Sequence, residues 1–266
     1  MDPILVQFGP IVIRYYGLMY LLAAVVGGWL IGLEVRRKGI ALSDDDRWNL
    51  VMLCLLAGIL GGRVYYVVFN WSYYGSHPAE IPAVWHGGLA IHGGLIGGVL
   101  AGAWFVRRRN LSFLPLADMA APSVILGQAF GRFGNFMNGD AHGTPTSLPW
   151  GIVFPPDSIA GREFGPVPLH PVMLYELGLN LLIFALLWRL RRRETADGFI
   201  FFLYLILYSA DRFIVSFFRA DDLYLGPFRA PHVVSVLLIV AAGGYILRNR
   251  LWLRPSPAPG GKTVRT

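Results

Sequence analysis

The chain has 266 residues, 55% of them hydrophobic and only 15% charged, with a formal net charge of +7. A soluble domain of this length carries about a quarter of its residues as charges. The composition therefore excludes one and predicts a single all-α polytopic membrane domain over residues 1–254. The excess of positive charge does not signify nucleic acid, because the basic residues come in short clusters between apolar runs rather than along one groove.

A helix that crosses a bilayer needs about 20 mostly apolar residues. Seven runs qualify, near 13–33, 50–69, 89–106, 115–136, 171–190, 198–218 and 232–252. The first ends in Arg36-Arg37-Lys38, the third in Arg107-Arg108-Arg109, the fifth in Arg191-Arg192-Arg193, and the seventh in Arg248, Arg250 and Arg254. With seven alternating spans, all four clusters fall on one side. By the positive-inside rule that side is cytoplasmic, which puts the N-terminus outside and the C-terminus inside. Met1 to Pro10 has no basic segment, so no cleavable signal peptide is expected. Cys54 is the single cysteine, which excludes an internal disulfide. Trp71, Tyr73, Tyr74 and Trp85 suit an outer aromatic belt. Glycines at 93, 94, 97, 98 and 102 make the third run smooth enough for close helix packing or for an acyl chain. The connection from about 138 to 169 holds six prolines and is predicted to be an irregular, fairly rigid outer loop. The tail 255–266 reads as disordered.

Polar groups inside apolar runs are costly, because hydrocarbon offers them no hydrogen bonds; they are kept where they face water or a ligand. The fourth run ends in Gly131-Arg132-Phe133-Gly134-Asn135-Phe136-Met137-Asn138-Gly139-Asp140. Arg132 and Asn135, three apart, share a helix face, and a forked cation beside an amide suits an anionic headgroup. Arg63, His92, Gln128, Glu176, Asn180, Asp211 and Arg212 also lie within runs. Arg63 and Asp211 read equally well as members of structural ion pairs. Tyr208, Arg212 and Arg219 form one polar stripe on the sixth run. No acid shares that stripe, which predicts an anion supplied from elsewhere; Arg219 is expected to snorkel to the interface. His92, unlike its loop twin His86, is placed to exchange a proton near neutral pH. His170 precedes Pro171 at the start of the fifth run, and Glu176 further in demands a cation or a proton. Metal-ligand spacings, Walker loops and nucleophile elbows are absent, so neither a metal nor a cofactor is expected.

These residues carry a resemblance over nearly the whole chain. Tyr15-Tyr16-Gly17-Leu18-Met19-Tyr20, Ile91-His92-Gly93-Gly94, Gly131 to Gly143, His170-Pro171 with Leu174-Tyr175-Glu176, and Tyr208 with Arg212 and Phe217-Phe218-Arg219 resemble segments of the prolipoprotein diacylglyceryl transferases of the bacterial inner membrane. Against that pattern, Asp140 stands for a glutamate, His142 for an aromatic, Val172-Met173 for a polar pair, Ser216 for a glutamate, and His86 for an acid. The resemblance implies transfer of a diacylglyceryl group from phosphatidylglycerol to the lipobox cysteine of a prolipoprotein signal peptide, with glycerol 1-phosphate released. It implies catalytic roles for His92, Arg132 and Arg212, and substrate binding by Tyr16, Asn135, Asn138, Gly139, Asp140, Gly143, His170, Glu176, Tyr208 and Arg219. The thiol must lose a proton before it attacks, and either His92 or Asp140 suits that task. Other readings of the same residues are a divergent paralogue or pseudoenzyme that binds lipid or signal peptide, an enzyme moving another headgroup fragment, and a small-anion transporter, which would require internal symmetry.

Overall fold

Helices begin and end where the charges stand. In the computed structural model, which describes residues 1–9 and 11–253, α1 (Tyr15–Lys38) closes on Arg36, Arg37 and Lys38, cations that suit the negative end of a helix dipole. Ser43 caps α2 (Asp44–Phe69) by accepting from the Asp46 amide, and three aspartates fill the first turn. A short α3 (Trp71–Tyr74) leads on to α4 (Ile91–Arg108), which closes on two arginines. Then come α5 (Phe113–Asn138), α6 (Ile159–Phe164), α7 (Val172–Leu190), α8 (Phe199–Ser216) and α9 (Ala230–Asn249). Two small antiparallel pairs were not foreseen: β1 (Ile4–Phe8) with β2 (Ile11–Arg14), and β3 (Tyr224–Leu225) with β4 (Phe228–Arg229). Strands this short leave little alternation to detect.

Six helices, α1, α2, α5, α7, α8 and α9, are long and apolar enough to cross a membrane. On α2, Leu56, Leu60, Val64 and Val68 repeat at helical spacing and are each more than half exposed, an apolar stripe that belongs against lipid. The third run does form a helix, α4, but its 18 residues include His92, two arginines and five glycines, and it is not one of the six.

The described residues form two compact units. One, from Gly28 to Phe113, is built on α2 and α4. These two helices meet glycine to glycine: the Ala90 amide donates to the Gly62 carbonyl at 3.0 Å, and a Cβ on Gly62 would stand 3.2 Å from the Ala90 oxygen. The small residues of the third run thus serve close packing. Buried Arg63 donates to the carbonyls of Glu80, Ile81, Gly87 and Gly88 at 2.6 to 3.1 Å. Its partners are backbone oxygens where the sequence suggested a carboxylate, and it gathers the α2–α4 connection around one guanidinium.

The other unit comprises residues 1–27 and the chain from Leu114 onward. Ala121 and Ile125 of α5, Ile183 and Leu187 of α7, and Ile200 and Tyr204 of α8 form its core. Helix α9 lies against α8, with the Phe202 and Tyr245 rings 4.4 Å apart. Asp118, buried on α5, accepts from the Gly198 and Phe201 amides at 2.8 Å each and so caps α8 from a neighbouring helix. The connection from 138 to 169 is irregular over most of its length, yet α6 interrupts it, and its Phe154, Ala160 and Leu169 pack with Met173 of α7 in a small core. The tail read as disordered lies outside the described residues.

Candidate active site

The C-terminal end of α5, the first turns of α7 and the last turns of α8 converge within the second unit. Glu176, one turn into α7, has a side chain 1% exposed. Three guanidinium groups meet its carboxylate: Arg132 from α5 by ion pairing through Nε, Arg212 from α8 with Nη1 at 3.4 Å, and Arg219 with Nη1 at 3.0 Å. A buried carboxylate requires such partners.

The stripe on α8 is therefore not short of acids, contrary to the sequence reading; they arrive from other elements. Arg212 Nη2 lies 2.6 Å from Asp222 Oδ1, and Arg219 is forked onto Asp221 through Nε at 2.9 Å and Nη2 at 2.6 Å. Arg219 does not snorkel but is buried. Burial opposes its charge, but Glu176 and Asp221 outweigh that, so its pKa lies above the ordinary arginine value. All three of its nitrogens are occupied. By contrast, Arg132 Nη2 and Arg212 Nε have no hydrogen-bond partner among the described residues, and both side chains are about one-fifth exposed. Two arginines of the cluster thus keep spare donors and remain partly exposed.

A second relay fixes Arg132. Its Nη1 donates to Asn135 Oδ1 at 3.3 Å, Asn135 Nδ2 donates to Asp140 Oδ1 at 2.7 Å, and Asn138 Nδ2 donates to Asp140 Oδ2 at 2.7 Å. The chain turns after α5 at Gly139, whose φ of +66° suits glycine; a Cβ there would also stand 2.6 Å from that of Ser158. Gly143 passes between two backbones: a Cβ would lie 2.6 Å from the His170 oxygen and 2.7 Å from the Phe218 oxygen. His142 fills its aromatic-like position by packing edge-on against Phe164 and pairs with Glu163 at 3.1 Å.

Tyr16 rests on Gly134, where a Cβ would come within 2.8 Å of its ring. Tyr208 lies within electrostatic reach of Arg132, Glu176 and Arg212. His170 Nδ1 is 3.2 Å from the Tyr175 hydroxyl, which accepts from Trp150 Nε1 at 2.7 Å, and its ring is 5.0 Å from that of Phe218. Tyr16, Asn135, Asn138, Asp140, Gly143, His170, Glu176, Tyr208 and the three arginines thus belong to one unit. His92 belongs to the other, exposed, its ring 5.9 Å from that of Tyr65.

Sequence reasoning missed Asp221, Asp222, Arg229 and Tyr20. The two aspartates come just after Arg219 and Ala220, outside any apolar run, and so read as ordinary loop. Tyr20, one turn after Tyr16, hydrogen-bonds with it and lies within electrostatic reach of Arg132 and Asp140; the four-residue spacing was the available signal.

Fold and site together define a multi-pass membrane protein with a preorganised arginine cluster at one end of its helices. The chain belongs to the prolipoprotein diacylglyceryl transferase family, whose sequence model matches residues 3–248. Relatives named phosphatidylglycerol–prolipoprotein diacylglyceryl transferase include those of Fusobacterium nucleatum, 42% identical over 91% of this chain and 96% of the relative, and Geobacillus kaustophilus, 47% identical over 90% and 89%. That of Geobacter sulfurreducens is 40% identical over 89% of each chain.

Proposed function

We propose that this protein transfers the diacylglyceryl group of phosphatidylglycerol to the thiol of a lipobox cysteine in a prolipoprotein signal peptide. The sulfur bonds to the glyceryl carbon as the carbon–oxygen bond to phosphate breaks, and glycerol 1-phosphate leaves. The observation that carries this reading is the contrast among the arginines: Arg219 is used up by carboxylates, while Arg132 and Arg212 each hold a free donor at the same carboxylate, Glu176. A phosphate is a multidentate acceptor that two such donors suit. Donors already aimed where charge develops stabilise the departing phosphate without reorganising. Asn135 orients Arg132, and Tyr16 and Tyr208 add hydroxyl donors. Asn138 holds Asp140, while Gly139, Gly143 and His170 shape the loop around the headgroup. The thiol gives up its proton as the sulfur attacks.

The test is direct. The purified protein, phosphatidylglycerol and a lipobox peptide should yield peptide heavier by one diacylglyceryl unit. Unmodified peptide that binds without reacting would mean a lipid- or peptide-binding paralogue instead.

We further infer that α4 is a seventh span, with the N-terminus outside and the C-terminus inside the bacterial inner membrane. The four basic clusters support this. In a Cys54→Ser background, which should keep full transfer, an impermeant thiol reagent should label Leu148→Cys but not Asn110→Cys. The reverse pattern refutes the orientation.

A further inference from the structure

Arg212 is held by more than Glu176. The Asp222 side chain is 1% exposed. Its Oδ1 takes Arg212 Nη2 at 2.6 Å and has Arg219 Nε at 3.6 Å; its Oδ2 accepts from the Ser216 hydroxyl and has Arg229 Nη1 at 3.6 Å. Arg229, at the base of the β3–β4 hairpin, also donates to the carbonyls of Ser216 and Arg219. The strap 216–229 is thereby folded back on the end of α8, and it presents one carboxylate to the arginine four residues before Ser216.

We propose that Asp222, oriented by the Ser216 hydroxyl, is the positioning residue that holds Arg212 for the phosphate. This rests on the reading of Arg212 as a phosphate-gripping group. Two carboxylates meet the two terminal nitrogens of Arg212, Glu176 at Nη1 and Asp222 at Nη2, and together they set the plane of the guanidinium and aim the unoccupied Nε. One carboxylate would leave a long side chain free to swing about a single contact. Asp222 itself touches no substrate; it acts through Arg212. Position 216 explains why the aspartate is needed here. A serine hydroxyl donates hydrogen bonds but carries no negative charge, so it can orient an acid and cannot replace one. A glutamate at 216 would extend its own carboxylate to the place where the hydroxyl meets Asp222.

The experiment measures diacylglyceryl transfer from phosphatidylglycerol micelles to a lipobox peptide, with thermal unfolding in parallel. Asp222→Asn should keep a folded protein and slow transfer by about 10- to 100-fold, the cost of a misplaced group in a site that depends on alignment. Asp222→Ala with Ser216→Glu should regain most of the rate that Asp222→Ala loses. In an Arg212→Lys background, adding Asp222→Asn should cost little more, because the group it aims is already gone. Wild-type rate in Asp222→Asn, full additivity with Arg212→Lys, or a folded Ser216→Glu/Asp222→Ala protein as slow as Asp222→Ala would each overturn the proposal. Should Asp222→Asn fail to accumulate, Ser216→Glu/Asp222→Asn decides: a rate restored to near wild type supports the role, and a folded but slow protein overturns it. If the wild-type protein modifies no peptide, the transfer reading itself fails; if it transfers and Asp222→Asn matches it, only the positioning role falls.

Discussion

Replacing Arg132 by alanine separates catalysis from folding, and Arg219→Ala is its control. Without Arg132, Glu176 keeps two guanidinium partners, Arg212 at 3.4 Å and Arg219 at 3.0 Å. The buried carboxylate is therefore not orphaned, and the structural loss is that of one charged hydrogen-bonding partner, about 1.5–3 kcal/mol. The chemistry loses a donor aimed at the leaving phosphate, about 10²–10³ in rate for a single group of this kind. Without Arg219, the balance reverses. Its side chain is 7% exposed and its three nitrogens link Glu176 to Asp221, so its loss breaks a buried pair, at about 3–5 kcal/mol. Peptide mass shift gives the transfer rate, and detergent-solubilised thermal unfolding gives the stability. Arg132→Ala should be slow and folded, Arg219→Ala poorly folded. The reasoning fails if Arg132→Ala transfers at the wild-type rate, or if the two variants lose stability equally.

Arg63→Lys should cost about 2–5 kcal/mol, because a single ammonium cannot reach the four carbonyls that the guanidinium serves; an unchanged unfolding midpoint would contradict this. Gly143→Ala should destabilise by about 1–3 kcal/mol or more, since backbone on both sides leaves no flexible atom to yield. Membrane abundance and unfolding temperature report it, and wild-type values in both rule it out. Asp118→Ala should cost about 0.5–2 kcal/mol by uncapping α8. Hydrogen exchange at Gly198 and Phe201 should rise in that variant, and unaltered protection there would count against the cap.

The helices were legible because a bilayer imposes a length and a polarity on each one, and both can be counted along the chain. Arg132 and Asn135 stood out for a related reason: an arginine and an amide on one face inside an apolar run have no cheap explanation. The partners of those groups did not. Asp221 and Asp222 look like solvated loop until the strap folds back on α8. Arg63 looks like half of an ion pair until the connection after α2 delivers four carbonyl oxygens to it.

Sequence alone determined the membrane setting, the order of the helices and which charges had to be functional or compensated, since these depend on local composition and on the cost of polarity in hydrocarbon. Only the tertiary structure decided which arginines are spent on carboxylates and which keep a donor to offer. That depends on contacts between residues far apart in the chain, such as Glu176 with Arg219 and Asp118 with Gly198, and no spacing along a single helix encodes them.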